Sequence, residues 1–518
     1  MSILKGKGSR MEFTGITFAG KGQNLDTGAK VVNAAPDTSS YMNTRSISKD
    51  GGISTFRSSV VVTKDAEKAK SSVSCQSLML DSVSRSDTIP AMDIRCRSAN
   101  VGHEAQIGRI SDEAVFYLMS RGMSEEDARA LIVSGFADNV SKELPLEYAV
   151  EMNNLILLEM KGSIGYGEEE YLMEKVSEYT SVAVGQLPAK TWNRLHMNGS
   201  ELKWGNETLP CEMTLKEGGK PFDAEIVSGA GLIFAADGLP SVYGAAEKDE
   251  KKTVSLHIGG GEAPFTAGKA FFRAEEGSKL TIVLGCEKGE NTLAFHLELE
   301  AEKNAKIRLI QIQMPGAPAT VLSDIHGVCG ENGRIEMAQL LIGKGNLYSD
   351  CHIDLTGDGS SYSAEIGYLT RGEQKLDCNY VVNHAGKKTE SFIRADGTLM
   401  DRSSKIFRGT IDFKNGSSGS IGTEQENVLL LGEEIVNQTI PLILCAEEDV
   451  QGHHGATIGD LDEDILFYFA SRGIEREQAE KLMSRAKLDR LCGTFDNEEA
   501  RTIAERGIGE VLGNAEND

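Results

Sequence analysis

The sequence predicts a mainly β protein in which one domain type occurs twice, each copy consisting of many short strands followed by a small helical domain. Three observations support this fold class. A twenty-residue stretch that begins at His103 recurs at His454, with nine identical positions and an offset of 351 residues. Short β-branched runs alternate with Gly, Asn, Asp and Ser turns over residues 1–110 and again from about residue 251. After each strand-rich region the apolar residues change to helical spacing.

The offset of 351 residues holds without a gap well beyond this stretch. It also carries Phe56-Arg57 onto Phe407-Arg408 and Ile89-Pro90 onto Ile440-Pro441. An ungapped match over roughly the first 120 residues indicates internal duplication, and the period is far too long for a single solenoid unit. We therefore call residues 1–162 copy one and residues 163–518 copy two.

In copy one the strand pattern ends near residue 110. From Asp112 onward the apolar positions follow helical spacing, and Ser124 with Asp127 three residues later is a capping-box pattern that opens a second helix. A third helix is expected over Leu146–Met160, because glycines follow its end. Copy one therefore ends in a helical domain.

The second half of the chain begins with a helical pattern over Tyr166–Val184, followed by a loop-rich stretch. Strands resume near residue 251, where Phe295–Glu300 alternates between apolar and polar residues. The helical domain of copy one is echoed from Asp460 onward, and we expect Asn514–Asp518 to be frayed. Strand spacing by itself fits a sandwich, a barrel or a parallel β-helix equally well.

Composition excludes several classes of function. The net charge of −24 argues against a nucleic-acid binder or a binder of anionic membranes, since both need clustered Lys and Arg. The sequence has neither a signal-peptide pattern nor an apolar run of spanning length, so we expect a cytoplasmic protein. The nine cysteines form no C-x-x-C pair and their number is odd, so we expect small buried thiols rather than a disulfide framework.

Several long segments resemble the SufB/SufD family of the SUF iron–sulfur cluster assembly system. In copy one they are Gly20–Lys30, Lys68–Leu78, Gly102–Ala105, Phe116–Gly122 and Lys142–Val150, which are similar to the C-terminal half of SufB. In copy two they are Leu187–Arg194, Ile366–Gln374, Phe407–Phe413 and His454–Gly459, which are similar to SufD. The resemblance covers nearly the whole chain.

The resemblance implies a right-handed parallel β-helix in each of two tandem copies, each followed by a small α-helical domain. Five regions are expected, with these limits: an N-terminally truncated SufB-like β-helix over 1–110, a helical ATPase-docking domain over 111–162, a SufD-like N-terminal region over 163–250, a SufD-like β-helix over 251–459, and a second helical ATPase-docking domain over 460–518. Copy one lacks the front portion of SufB, so its β-helix is expected to present an unpaired edge. Another chain or copy two could cover this edge, or the sequence could be a truncated gene product.

The resemblance also implies a site for a transient iron–sulfur cluster, with Cys75, Glu104 and His454 as candidate iron ligands. Cys75 matches the family position of the sulfur acceptor, and a thiolate is both the nucleophile and the metal ligand. Glu104 matches an acidic ligand, and His454 matches the SufD histidine that faces the SufB cysteine. Adjacent residues of a strand point to opposite faces, so His103 and Glu104 are not expected to share one site.

The leading interpretation is a non-enzymatic scaffold that holds a nascent, labile cluster and docks the ABC-type ATPase SufC. The sequence has no Gly-x-x-x-x-Gly-Lys-Ser/Thr motif, so ATP hydrolysis has to come from a partner. Expected partners are this ATPase, a cysteine desulfurase or sulfur-relay protein, and another SufB/SufD-type chain. The alternatives are a structural adaptor that binds SufC without a cluster and, more remotely, a β-helix enzyme acting on carbohydrates.

Overall fold

The structure is a computed structural model that describes residues 1–110, 112–141, 181–191, 195–204, 208–216, 234, 239–260, 263–286, 289 and 291–512. Within these residues the chain forms a parallel β-solenoid of about 13 turns together with short helices. The expected parallel β-helix is therefore confirmed. The helix expected over Leu146–Met160 and the terminal residues Asn514–Asp518 lie outside the described residues.

Two long sheets form the walls of the solenoid. Sheet one has 14 strands: β1 Ser2–Leu4, β3 Asn24–Asn33, β5 Ile53–Val62, β7 Arg85–Thr88, β8 Ala91–Ile94, β12 Leu209–Pro210, β14 Ser241–Ala246, β16 Phe265–Ala274, β18 Thr292–Ala301, β20 Thr320–Cys329, β22 Asn346–Leu355, β24 Lys375–His384, β26 Ser404–Phe413 and β28 Val436–Cys445. Sheet two has 13 strands: β2 Arg10–Ala19, β4 Ser39–Ser48, β6 Lys70–Met79, β9 Asn100–Arg109, β13 Glu212–Lys216, β15 Lys251–Gly259, β17 Lys279–Cys286, β19 Lys306–Gln313, β21 Arg334–Leu341, β23 Ser361–Thr370, β25 Glu390–Leu399, β27 Ser420–Leu430 and β29 Val450–Gly459.

Successive turns of the solenoid stack in parallel register, with the inward side chains of one turn directly above those of the next. Thr320 pairs with Asn346, and Ser404 pairs with Val436, so one turn takes between 26 and 32 residues. The inward positions are mostly apolar and form one long core between the two sheets. Burial of this continuous apolar interior favours the solenoid, because no single turn can cover its own apolar face.

Each copy forms a parallel stack of turns, and the two stacks join end to end. The order of sheet two places β29 beside β9, and the order of sheet one places β28 beside β7 and β8. These are antiparallel pairings within an otherwise largely parallel solenoid. At the far end of copy one, β2 pairs with β4, and no described residue of copy two pairs with its other edge.

The helical domains lie on the outer face of sheet two. The helices are α1 Asp112–Met119, α2 Glu125–Ser141, α3 Glu463–Ala470, α4 Arg476–Cys492 and α5 Glu498–Leu512. The capping box of α2 is confirmed, since the Ser124 hydroxyl accepts from the Asp127 backbone N–H at 3.1 Å and donates to its carboxylate at 2.7 Å. No helix in the described part of the chain is both long and apolar enough to cross a membrane.

The region before residue 251 differs from the sequence expectation. The helical pattern of Tyr166–Val184 ends in a strand, β10 Ser181–Val184, which pairs antiparallel with β11 Ser200–Lys203. Val182 and Val184 are buried against the outer face of sheet one, together with Leu202 and Trp204. The prediction of helix was wrong for these four residues because their alternate burial against a sheet decided the conformation. The earlier part of that pattern lies outside the described residues. The expectation of a loop-rich stretch up to residue 250 was also wrong in part, since β11, β12, β13 and β14 lie in it and pair with other strands.

Candidate functional site

The point where the two copies meet has an approximate twofold symmetry that follows from the repeat. Strand β9 pairs antiparallel with β29, its own repeat equivalent, from Asn100 opposite Gly459 to Gly108 opposite Gln451. Glu104 lies opposite Gly455, and these two residues are themselves related by the offset of 351. The pseudo-twofold axis therefore passes through this pair, as it would in a dimer that uses one surface twice. We call this region the junction.

Two histidines meet inside the junction. His103 on β9 and His454 on β29 are 5% and 2% exposed, and their Nε2 atoms are 2.8 Å apart. This distance requires one imidazole to donate to the other. The Nδ1 atoms of both rings are buried and have no hydrogen-bond partner among the described residues.

Both imidazoles are held in the neutral form. Burial lowers the pKa of His103 to about 3. Burial, followed by the proximity of His103 and His453, lowers the pKa of His454 well below its usual value. A neutral imidazole has a free lone pair, which makes it a good ligand for iron and other transition metals. The buried pair is therefore a set of nitrogen donors that does not need to lose a charge on binding a metal.

Cys75 faces the same interior, one strand away from this pair. It lies on β6 opposite Ala105 of β9, and Ala105 lies opposite His454 of β29. Its side chain is 2% exposed. Burial raises the pKa of the Cys75 thiol to about 12, and the hydrogen bond with Thr44 offsets only part of this effect. The thiol is therefore protonated in the closed structure, and a metal that binds it has to displace the proton.

Glu104 lies on the other face of the same strand. It is exposed, whereas its neighbours His103 and Ala105 are buried. The alternation of strand side chains thus separates His103 from Glu104, as the sequence predicted. Of the three candidate ligands named from the sequence, the structure brings Cys75 and His454 into one interior and leaves Glu104 outside it. The interior side chain that contacts His454 is instead His103.

A group of buried ionisable side chains lies beside the junction in copy two. Lys405, Glu424 and Glu426 are each no more than 2% exposed. The Lys405 ammonium donates to Glu426 and, at 3.0 Å, to the hydroxyl of Thr439. Both carboxylate oxygens of Glu424 are buried without a hydrogen-bond partner among the described residues.

These buried ionisable side chains were not identified from the sequence. Glu426 is the repeat equivalent of Cys75, so the offset of 351 was the one available signal. That signal could not show that position 426 faces inward or that it pairs with Lys405. Both facts depend on register, which places Glu426 beside Ala456 and Glu424 beside His454.

The donor atoms do not form a complete metal site in the closed structure. Within the described ranges, no group of three or more His, Cys, Asp and Glu side chains is arranged to hold a metal ion. Two imidazoles and one thiol on neighbouring strands are fewer than the four thiolates of a stable ferredoxin-type site. A cluster bound by this set would need some rearrangement of the junction and would be held weakly.

The helical domains carry a second feature that repeats. Phe116 and Tyr117 of α1 are 72% and 55% exposed, and their repeat equivalents Phe467 and Tyr468 of α3 are 76% and 54% exposed. Exposed aromatic pairs of this kind are typical of protein–protein contact sites. Because the two pairs occupy equivalent positions, one type of partner can bind to both.

Comparison with known proteins gives a consistent family. The family model described as "SUF system FeS cluster assembly, SufBD core domain" matches residues 1–136 and 257–487. The chain is 51% identical over 163 residues to the iron–sulfur cluster assembly protein SufB of Bacillus subtilis, a match that covers 32% of the chain and 35% of that protein. It is 49% identical over 163 residues to a SufBD family protein of Staphylococcus saprophyticus, with 32% of the chain and 35% of the relative covered.

A third relative is a SufBD family protein of Mycobacterium bovis, which is 45% identical over 162 residues, or 31% of the chain and 19% of the relative. The matched segments therefore span about a third or less of the length of these curated relatives.

Proposed function

Because this chain belongs to the SufBD core family of the SUF iron–sulfur cluster assembly system, we propose that it is a scaffold that holds a nascent cluster at its junction. The observation that carries this proposal is the buried pair of His103 and His454, with Cys75 one strand away. The cluster is the cargo of this scaffold, and we propose no catalytic step on the chain itself. The family assignment also argues against the alternative of a β-helix enzyme that acts on carbohydrates.

The side chains of the junction suit a labile cargo. The two neutral imidazoles would bind iron through nitrogen, and the Cys75 thiol would bind after losing its proton. Few ligands of mixed type hold a cluster less tightly than four thiolates, and a scaffold has to release what it builds. Glu104 would reach the same iron only if the pairing of β9 with β29 opened, because it lies on the outer face of sheet two.

We propose that partners supply both access and energy. The site is sealed inside the solenoid, so assembly requires the junction to open. The helical domains with their exposed aromatic pairs lie on the same sheet, and we propose that each docks one subunit of a SufC-type ATPase. A cysteine desulfurase or sulfur-relay protein would supply sulfur, and a further SufB/SufD-type chain would pair with the edge at β2. The nine buried free cysteines fit a reducing cytoplasm.

The second candidate function is an adaptor that docks the ATPase and holds no cluster. It is favoured by the lack of three convergent ligands within the described ranges. The two functions differ in whether the chain retains iron and sulfide.

Anaerobic reconstitution with iron and sulfide tests the proposal. We would measure visible absorbance and the iron-to-protein ratio after desalting, for the wild type and for the variants Cys75→Ser and His454→Phe. The variant Cys351→Ser is the matched control, because Cys351 is an equally buried interior thiol away from the junction. Iron retention in the wild type and the control, with loss in both junction variants, supports the scaffold.

Equal retention in Cys75→Ser would remove this residue from the site, and no retention in any protein would favour the adaptor. The variant Glu104→Gln tests the outer carboxylate in the same assay. Circular dichroism of each variant shows whether a loss of iron reflects a loss of fold.

A further inference from the structure

Charged residues at the two ends of the β9–β29 pairing have opposite signs in the two copies. We call the end at Arg97 corner one and the end at Arg109 corner two. Each corner joins a turn of one copy to the helical domain of the other. The pseudo-twofold axis relates the two corners, so in a perfectly symmetric junction they would carry the same residues.

Corner one has an arginine from copy one and carboxylates from copy two. The Arg97 Nε atom is 2.9 Å from the Asp460 carboxylate, and its Nη2 atom contacts Glu480. Its Nη1 atom donates to the Leu431 carbonyl at 2.8 Å. The side chains of Arg97, Asp460 and Glu480 are only 16%, 16% and 13% exposed. Solvent therefore screens these ion pairs less than it screens ordinary surface pairs.

Corner two has the opposite polarity. Its arginines belong to copy one, with Arg109 at the end of β9 and Arg129 in α2. Its carboxylates belong to a turn of copy two. The Arg109 Nε atom is 2.9 Å from the Asp449 carboxylate. Burial and the nearby Asp81 raise the pKa of the neighbouring Glu448, and Arg109 and Arg129 counteract this effect only in part. This corner is more open, since Arg109 and Asp449 are 37% and 34% exposed.

The repeat offset relates these residues one to one. Adding 351 takes Arg97 to Glu448, Arg109 to Asp460 and Arg129 to Glu480, so each of these three arginines of copy one corresponds to an acid of copy two. The ion-pair partner four residues earlier in each helix also changes sign between the copies. Arg129 pairs with Glu125 at 3.0 Å within α2, and at the equivalent position Glu480 pairs with Arg476 at 2.8 Å within α4.

We propose that these four inverted positions form a charge code that directs the copy-one edge to pair with a copy-two edge rather than with a second copy of itself. Backbone hydrogen bonds alone do not favour the mixed pairing over a pairing of two like edges, because β9 and β29 are repeat equivalents. Two copy-one edges would bring Arg97 against Arg109 and Arg129 at both corners. Two copy-two edges would bring Glu448 against Asp460 and Glu480 at both corners. Only the mixed pairing places opposite charges together.

Three variants of the full chain test this code. The first gives copy one the charges of copy two, through Arg97→Glu, Arg109→Asp, Glu125→Arg and Arg129→Glu. The second gives copy two the charges of copy one, through Glu448→Arg, Asp460→Arg, Arg476→Glu and Glu480→Arg. It also carries Asp449→Ser, because Ser98 occupies the equivalent position of copy one and Asp449 would otherwise oppose Arg109→Asp when the two sets are combined. The third combines both sets, so that the code is exchanged but complementary.

Hydrogen–deuterium exchange of the β9 and β29 amides reports on the junction. We expect exchange at least tenfold faster than in the wild type for the first and second variants, and close to the wild-type rate for the third. High salt should reduce the difference, because it screens the repulsion. Wild-type exchange in the first or second variant, or equally fast exchange in the third, would overturn the proposal.

Co-expression of the first and second variants with different affinity tags tests partner choice directly. One chain then has two acidic edges and the other has two basic edges, so we expect a 1:1 complex with twice the 55.9 kDa mass of the chain. Recovery of each variant with its own kind as often as with the other would contradict the code. If either variant does not fold, Arg97→Glu alone and its combination with Asp460→Arg, Arg476→Glu and Glu480→Arg give the same exchange comparison at corner one.

Discussion

Replacement of Lys405 by methionine should destabilise the solenoid strongly, because it leaves a buried carboxylate without its counter-charge. The Lys405 side chain is fully enclosed, and its ammonium donates to Glu426 and to Thr439 at 3.0 Å. It also lies 5.9 Å and 5.7 Å from the ring centroids of Tyr368 and Phe407. Burial lowers the pKa of Lys405, and Glu426 counteracts this effect. The two charges therefore depend on each other.

The magnitude follows from the cost of an unpaired charge. Removal of one partner of a buried ion pair costs about 3–5 kcal/mol, whereas replacement of both partners by neutral groups is often close to neutral. We expect Lys405→Met to lower the free energy of unfolding by about 3 kcal/mol or more. The double variant Lys405→Met/Glu426→Gln should recover most of that loss. The Gln carbonyl can still accept from the Tyr368 hydroxyl, and its amide N–H can donate to the Thr439 hydroxyl, which no longer accepts from Lys405.

Urea unfolding followed by far-ultraviolet circular dichroism measures both variants against the wild type. The matched control is Lys375→Met, since Lys375 lies on the neighbouring strand of sheet one but is exposed. The control should change the midpoint little. A single variant that unfolds at the wild-type midpoint would refute the reasoning, and so would a double variant that is no more stable than the single one.

Three further predictions concern titratable groups. Burial, together with Glu426, raises the pKa of Glu424 well above its usual value. Glu424→Gln should therefore leave the free energy of unfolding unchanged below about pH 4.3 and raise it, relative to the wild type, by up to about 1.4 kcal/mol per pH unit above that pH. Urea midpoints from pH 4 to pH 8 check this, and a gain independent of pH would contradict it. All nine cysteines are buried, so Ellman's reagent should find almost no rapidly reacting thiol, Cys75 included, until denaturant is added. Burial lowers the pKa of His296, but hydrogen bonds to Asp324 at 2.8 Å and Glu298 at 3.0 Å outweigh it and raise the pKa to about 9. The stability lost in His296→Asn, on the order of 3 kcal/mol, should therefore be complete below about pH 6.5 and vanish as the pH rises through 9, and a loss that persists at pH 10 would oppose this assignment.

Much of the architecture was available in the sequence because it depends on local pattern. Strand alternation, turn residues and the change to helical spacing placed strands over residues 1–110 and located α1, α2 and the C-terminal helices. The same alternation separated His103 from Glu104, which the structure confirms. The pattern failed at Ser181–Val184, where packing against sheet one outweighed a helical spacing that extended from earlier residues.

The candidate site was only partly available, because its members come from distant parts of the chain. Family resemblance indicated Cys75 and His454, and the repeat showed that His103 and His454 are equivalent. No local sequence pattern showed that His103 and His454 would be in contact. Their contact requires β9 and β29 to pair antiparallel across the pseudo-twofold axis. The inward direction of Glu424 and Glu426 was equally hidden, because neither residue type is typical of a core.

The sequence by itself therefore determined the repeat, the strand and helix types and the family, all of which depend on spacing along the chain. Tertiary structure alone decided that the two copies form one solenoid, that Cys75 is sealed inside it, and that His103 rather than Glu104 contacts His454. The physical reason is register. A strand fixes which residues alternate, but only its pairing with strands from elsewhere in the chain decides which face is buried and which side chains meet.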